Sequence, residues 1–166
     1  DMCRQFINKT TTVLEIGSHN GVSTSLLCYY AKTVDAVDIK LSRELLDLQK
    51  SFDNLLLYKQ RSVQYMKQAI DQNKKYDLIY LDGDHSYAGV KKDIILAQQL
   101  LTPSGVISGH DMVEGNFRPN NGVLKAVYEL YPGIQTGESR LHRFSDSSWC
   151  ITRMKTISDT NLENKK

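Results

Sequence analysis

Along this chain, short apolar runs that end on glycine or an acid alternate with stretches whose apolar residues recur at helical spacing. The first run covers 12–17, and a helical pattern follows from Val22 to about residue 31. Val34 to Asp38 reads as a second strand, after which Ser42 can cap a helix through Leu45, Leu46 and Leu48. Leu55 to Tyr58 is a third strand, and Val63, Met66 and Ile70 place a helix over 62–73. Residues 76–81 form a fourth strand, and Val90, Ile94, Ala97 and Leu101 mark a helix over 87–101. Pro103-Ser104-Gly105 reads as a turn, 106–109 as a fifth strand, 112–121 as a polar loop and 123–130 as a helix. Two more strand candidates, 134–136 and 149–152, read as a closing hairpin-like pair, and the residues from about 155 read as a polar tail. This rhythm predicts an α/β fold, a doubly wound and mostly parallel sheet covered by helices, in one domain over 1–154.

Composition narrows the picture without changing it. The chain has 166 residues, 40% of them hydrophobic and 24% charged, as in a soluble globular domain. A net charge of +2 makes no strong case for nucleic acid, and no apolar run reaches the roughly 18–20 residues that cross a bilayer. Cys3, Cys28 and Cys150 are scattered and form no C-x-x-C pair, which fits reduced thiols and a cytoplasmic location.

The turn after the first strand carries the first chemistry. Glu15-Ile16-Gly17-Ser18-His19-Asn20-Gly21 joins a buried strand to a helix N-terminus, where free N–H groups and a partial positive charge meet a ligand. A dinucleotide site wants G-x-G-x-x-G, with room for pyrophosphate at the middle glycine. Here that place is His19, and the acid Glu15 stands two residues before the first glycine. An anion beside diphosphate is unfavourable, whereas an anion beside an amino group or a ribose is welcome. The turn therefore suits a cationic, amino-acid-bearing nucleoside better than a nicotinamide dinucleotide.

In open α/β sheets, ligands bind beyond the carboxyl ends of the strands. Asp38 closes the second strand, 21 residues after Gly17, where a carboxylate can accept from both ribose hydroxyls. The fourth strand ends at Asp82-Gly83-Asp84-His85-Ser86-Tyr87, and the fifth at Gly109-His110-Asp111. Strand ends of this kind bring Asp82, Asp84, His85, His110 and Asp111 together. Carboxylates with imidazoles are candidate ligands for a divalent ion, and a histidine can take a hydroxyl proton near neutral pH.

E-x-G-x-x-x-G after a strand resembles motif I of the class I S-adenosylmethionine (SAM) methyltransferases. The D-G-D-H-S-Y segment, the H-D pair and Gly122-Val123-x-x-Ala126-Val127 resemble a small-molecule O-methyltransferase-like group, the methyltransferase 24 type. The likeness covers roughly 11–153 and implies a seven-stranded Rossmann-like sheet whose last strand is antiparallel. It implies a cofactor site made of Glu15, Gly17, Ser18, His19, Asn20, Gly21, Ser23, Asp38, Ile39, Arg61, Ser62 and Asp82. Arg61 and Ser62 fall where this family contacts adenine, though Ser62 also fits a plain helix cap. Carried over from catechol-type enzymes, Asp82, His110 and Asp111 become ligands of Mg²⁺ or Mn²⁺. Those enzymes have Asp-Asn where this chain has His110-Asp111, which shifts preference away from Mg²⁺. His85 stands where they place a lysine base, with His110 as the competitor for that role and Asp82 beside both.

The function expected is SAM-dependent O-methylation of a hydroxyl on a small-molecule or sugar-like acceptor. The alternative is a non-catalytic SAM- or nucleotide-binding module, or one domain of a larger assembly. Little chain precedes the first strand, so the loop at 112–121 or a second subunit of a homo-oligomer is expected to close the site. Asn116 to Asn121, with Arg118 and Pro119, is the expected lid. Among the remaining residues, His19 is expected to face the cofactor, His142 to be exposed, Lys91, Lys92 and Asp93 to form a solvated helix face, and Trp149 to lie in the core.

Overall fold

Four consecutive residues of the first strand, Val13, Leu14, Glu15 and Ile16, are at most 2% exposed. Side chains alternate across a strand, so this strand is covered on both faces and must lie centrally in its sheet. The computed structural model describes residues 2–113 and 122–153. The elements are α1 (Met2–Phe6), β1 (Thr12–Ile16), α2 (Val22–Tyr30), β2 (Thr33–Asp38), α3 (Arg43–Ser51), β3 (Leu55–Lys59), α4 (Ser62–Asp71) and β4 (Tyr76–Leu81). They continue with α5 (Tyr87–Leu100), β5 (Leu101–Gly109), α6 (Val123–Leu130), α7 (Gly133–Thr136), β6 (Ser139–Arg143) and β7 (Trp149–Arg153). The seven strands lie in the order β3-β2-β1-β4-β5-β7-β6. Only β7 runs antiparallel to its neighbours, pairing Ile107 with Ile151 on β5 and Leu141 with Ile151 on β6.

The alternation on β1 separates two cores. Leu14 and Ile16 pack with Met66 of α4, Ile94 of α5 and Val127 of α6. Val13 packs on the other face with Met2, Ile7 and Leu27, under α1 and α2. Glu15 shares that second face, which decides its fate in the site.

Two expectations fail near the end of the chain. Residues 134–136 are not a strand but part of α7, which begins after Pro132 and ends at Gly137 with φ 81°. Proline is preorganised for a helix start and glycine for the left-handed stop, and both outweigh the apolar Ile134. The strand that pairs with β7 is β6, whose polar sequence reflects its place at the sheet edge. His142, expected to be exposed, is half-buried in β6, bonded to Thr152 Oγ1 at 3.1 Å and edge-on to Phe6. The expected turn at 103–105 lies within β5, beside a register shift against β4 where an unpaired proline is tolerated. The expected lid at 116–121 and the tail from 155 lie outside the described residues.

Candidate cofactor and acid–histidine site

The strand ends are drawn together by hydrogen bonds that continue the ladder. Gly17 N donates to Val37 O at 2.9 Å, Asp82 N to Ile16 O at 2.7 Å and His110 N to Leu81 O at 3.1 Å. Gly17 sits at φ 89°, and a Cβ there would lie 2.2 Å from the Asp82 carbonyl oxygen. Only glycine allows both that conformation and that approach.

Two cavities meet at this point, sharing Gly17, His19 and Asp82 as a common wall. The first, about 570 Å³, opens between the β1 turn, the ends of β4 and β5, and α1 with α2. The second, about 910 Å³, lies over the ends of β2, β3 and β4. Among the described residues, the buried side-chain polar atoms that lack a hydrogen-bond partner are Ser18 Oγ and Gln60 Oε1. Ser18 lines the first cavity and Gln60 the second. A buried polar atom without a partner is costly, and since the Ser18 hydroxyl has the Glu15 carboxylate beside it, Gln60 Oε1 is the atom that a ligand would complete.

Most of the sequence-predicted cofactor residues line these cavities. Ser18, Asn20 and Ser23 face the first, while Asp38, Ile39, Arg61 and Ser62 face the second. Asp38 accepts from His19 N at 2.8 Å and Lys40 N at 2.9 Å, so its carboxylate is aimed before any ligand arrives. Ser62 is the first residue of α4 rather than its cap, and its hydroxyl donates to Asp93 Oδ1 at 2.9 Å.

Glu15 and Gly21 stand behind the cavities. The Glu15 carboxylate is fully buried and accepts from Ser23 Oγ and Thr24 Oγ1, each at 2.5 Å. Burial raises its pKa from 4.5 to about 7, against the opposing pull of the Ser23, Thr24 and Ser18 hydroxyls. Its geometric role is to tie β1 to the first turn of α2. Gly21 is the N-terminal cap residue of that helix, in the left-handed conformation.

The acid–histidine cluster forms beyond β4 and β5. His85 Nε2 lies 3.0 Å from Asp82 Oδ1, and His85 Nδ1 lies 3.0 Å from Asp111 Oδ2. His110 Nδ1 faces Asp111 Oδ1 at 3.3 Å and Asp82 Oδ1 at 3.8 Å. His110 Nε2 is 2.7 Å from the Asp146 carbonyl, which only accepts, so this nitrogen carries a proton. His110 and Asp82 line the first cavity, whereas His85 and Asp111 are set behind them. Asp84 leaves the cluster and accepts from Ser86 N at 2.9 Å. The proposed metal ligands Asp82 and Asp111 are closed on the His85 ring. Among the described residues, no group of three or more His, Cys, Asp or Glu side chains is arranged to hold a metal ion. The donor set does not fit a divalent cation as it stands.

Several lining residues are not among those the sequence predicts for the site. Gln60 and Asp93 face the second cavity, Arg4 and Asp146 the first. Asp93, expected on a solvated face, is 4% exposed, and burial raises its pKa to about 6. The signal was present: Asp93 sits among Val90, Ile94 and Ala97, a carboxylate on an otherwise apolar stripe. Lys91 is half-buried as well, paired with Glu129 at 2.6 Å.

The strand order, the single antiparallel strand and the glycine turn at the end of β1 define the class I methyltransferase architecture. A family model described as a methyltransferase domain matches residues 14–112, and the chain belongs to that family. No curated protein matches the chain. Among solved structures, a protein of Clostridium thermocellum provisionally described as an rRNA methylase superposes with TM-score 0.69 at 17% identity, over 93% of both chains. An rRNA methylase from Streptococcus thermophilus gives 0.61 at 12% identity, over 91% of both chains. MycE methyltransferase from the mycinamycin biosynthetic pathway, in complex with Mg and S-adenosylhomocysteine (SAH), gives 0.67 at 14% identity over 96% of this chain. The chain spans about half of MycE, 53% of its length. At these identities the likeness is one of fold. Among the described residues no helix is long and apolar enough to cross a membrane.

Proposed function

We propose that the protein transfers a methyl group from SAM to a hydroxyl oxygen of a small-molecule or sugar-like acceptor. The observation that carries this reading is the pair of cavities joined at Gly17, with the aimed Asp38 carboxylate and the unpartnered Gln60 Oε1 in the second. Bound SAM supplies the electrophilic methyl on its sulfonium. Asp38 receives the ribose hydroxyls, and Gln60, Arg61 and Ser62 line the space for the base.

The acceptor enters the first cavity. Its wall from α1 and α2 is apolar, with Met2, Val22, Leu26 and Leu27, and its opposite wall carries Asp82, His110 and Asp146. Among the described residues that line it, Arg4 is the one Lys or Arg. A nucleic-acid backbone draws its affinity from many such cations, so the cavity favours a compact hydroxylated acceptor. His110 stands in the cavity wall where it can take the hydroxyl proton, while Asp82 and Asp111 stabilise the imidazolium that forms. His85 bridges Asp82 and Asp111 and does not line the first cavity, which makes it the buttress of the cluster rather than its base.

Calorimetric titration of SAH, and separately of NAD, into the full chain tests the cofactor. Micromolar SAH binding without NAD binding supports the reading and opens a screen of acceptors by SAH release. NAD binding, or no binding of SAH, overturns it in favour of a nucleotide-binding module.

A further inference from the structure

With the nucleoside over Asp38 and the shared wall at Gly17, the amino-acid tail of the cofactor points into the first cavity. That tail carries an ammonium and a carboxylate. The acids Asp82 and Asp146 line the cavity and suit the ammonium, while the same charges repel the carboxylate. A cation on the far side of the cavity from those acids would suit the carboxylate.

We propose that Arg4 binds the α-carboxylate of the cofactor. This assignment rests on the SAM reading above. Arg4 belongs to α1, which is anchored by Met2 and followed by Ile7, each 5% exposed and packed in the core beneath α2. Its Nε donates to the Tyr30 hydroxyl at 3.2 Å, and Tyr30 lines the same cavity. One edge of the guanidinium is thereby committed, which leaves the two Nη nitrogens as a fork for a carboxylate. The side chain is exposed, so its charge is available without a desolvation cost already incurred in folding. On this assignment α1, a five-residue helix with no cofactor motif, becomes part of the cofactor site.

The test compares two ligands that differ only at the carboxylate: SAH and its decarboxylated form, which keeps the nucleoside, thioether and ammonium. Both are titrated calorimetrically into the full chain, wild type and the variants Arg4→Gln and Arg4→Lys. Arg4→Gln is expected to weaken SAH by roughly tenfold or more, the worth of a charge-assisted pair, and to leave the decarboxylated ligand within about twofold. Arg4→Lys should recover part of the loss. Binding of the decarboxylated ligand also reports that the variant is folded. Equal losses for both ligands, or none for SAH, overturn the assignment while leaving the cofactor reading intact. A wild-type chain that binds neither ligand overturns both.

Discussion

His85 is pinned to Asp111: Nδ1 lies 3.0 Å from Asp111 Oδ2, and Asp111 itself is 7% exposed and held at φ 59°. A non-glycine residue in the left-handed region is sustained only by its surroundings, and here those include the His85 ring. The family resemblance makes His85 and His110 rivals for the role of base. In space they differ, because His110 lines the first cavity and His85 does not.

That difference separates their variants. With an acceptor found by screening, His110→Ala is expected to lower turnover about 10²-fold or more while SAH affinity stays within about twofold. His85→Ala should instead lower thermal stability, because it leaves two carboxylates facing each other without their shared donor. Turnover loss confined to His85→Ala, with His110→Ala active, reverses the roles.

Asp38 is a second point of leverage. Its two oxygens already accept from His19 N and Lys40 N, so the carboxylate is fixed and still has lone pairs for two ribose hydroxyls. Asp38→Ala is expected to weaken SAH binding by roughly tenfold or more, measured by calorimetry. Unchanged affinity removes the ribose assignment.

The legible part of the molecule is the part governed by local pattern. Each of β1 to β5 announced itself as an apolar run, and the rule that ligands gather beyond such strands brought Asp38, Asp82 and His110 to one place. What stayed hidden depends on partners distant in sequence. Asp35 lies within the apolar run of β2, yet it accepts from Tyr65 and Tyr76 hydroxyls at 2.6 Å and from Lys74 Nζ at 3.1 Å. Nothing near Asp35 in the chain foretells them. Glu15 shows the same limit: its strand position was read correctly, but the face it occupies turns it toward Ser23 and Thr24 instead of the cavities.

Gly17→Ala tests the junction of the two cavities. The added methyl would meet the Asp82 carbonyl at 2.2 Å, and the backbone at φ 89° is strained for alanine in any case. Neither neighbour is a flexible side-chain end, so β1 and β4 must part. The expected result is a loss of well over 1 kcal/mol in chemical denaturation together with loss of SAH binding. Wild-type stability in that variant contradicts the close approach.

Chelation probes the acid cluster. With the His85 ring filling the space between Asp82 and Asp111, EDTA is expected to leave SAH affinity within about twofold, and Mg²⁺ titrated alone to give no binding heat. Micromolar Mg²⁺ binding that is lost in Asp82→Asn restores the metal-ligand assignment of Asp82, His110 and Asp111.

The buried carboxyls set the pH response of the fold. Burial raises Glu15 to about 7 and Asp93 to about 6, above the 4.5 and 3.8 of the free groups. Between those values the folded chain holds protons that the unfolded chain has released. The resulting stabilisation is complete below about pH 4 and is lost as pH rises through 6 to 7. The melting temperature should therefore fall between pH 5 and pH 8 from this source. Glu15→Gln keeps the shape of the neutral acid and has nothing to ionise. Its melting temperature relative to wild type is expected to rise across that interval by roughly 5 °C, read by calorimetry at matched ionic strength. A difference between the two proteins that stays constant from pH 5 to pH 8 shows that the Glu15 carboxyl is already ionised at pH 5.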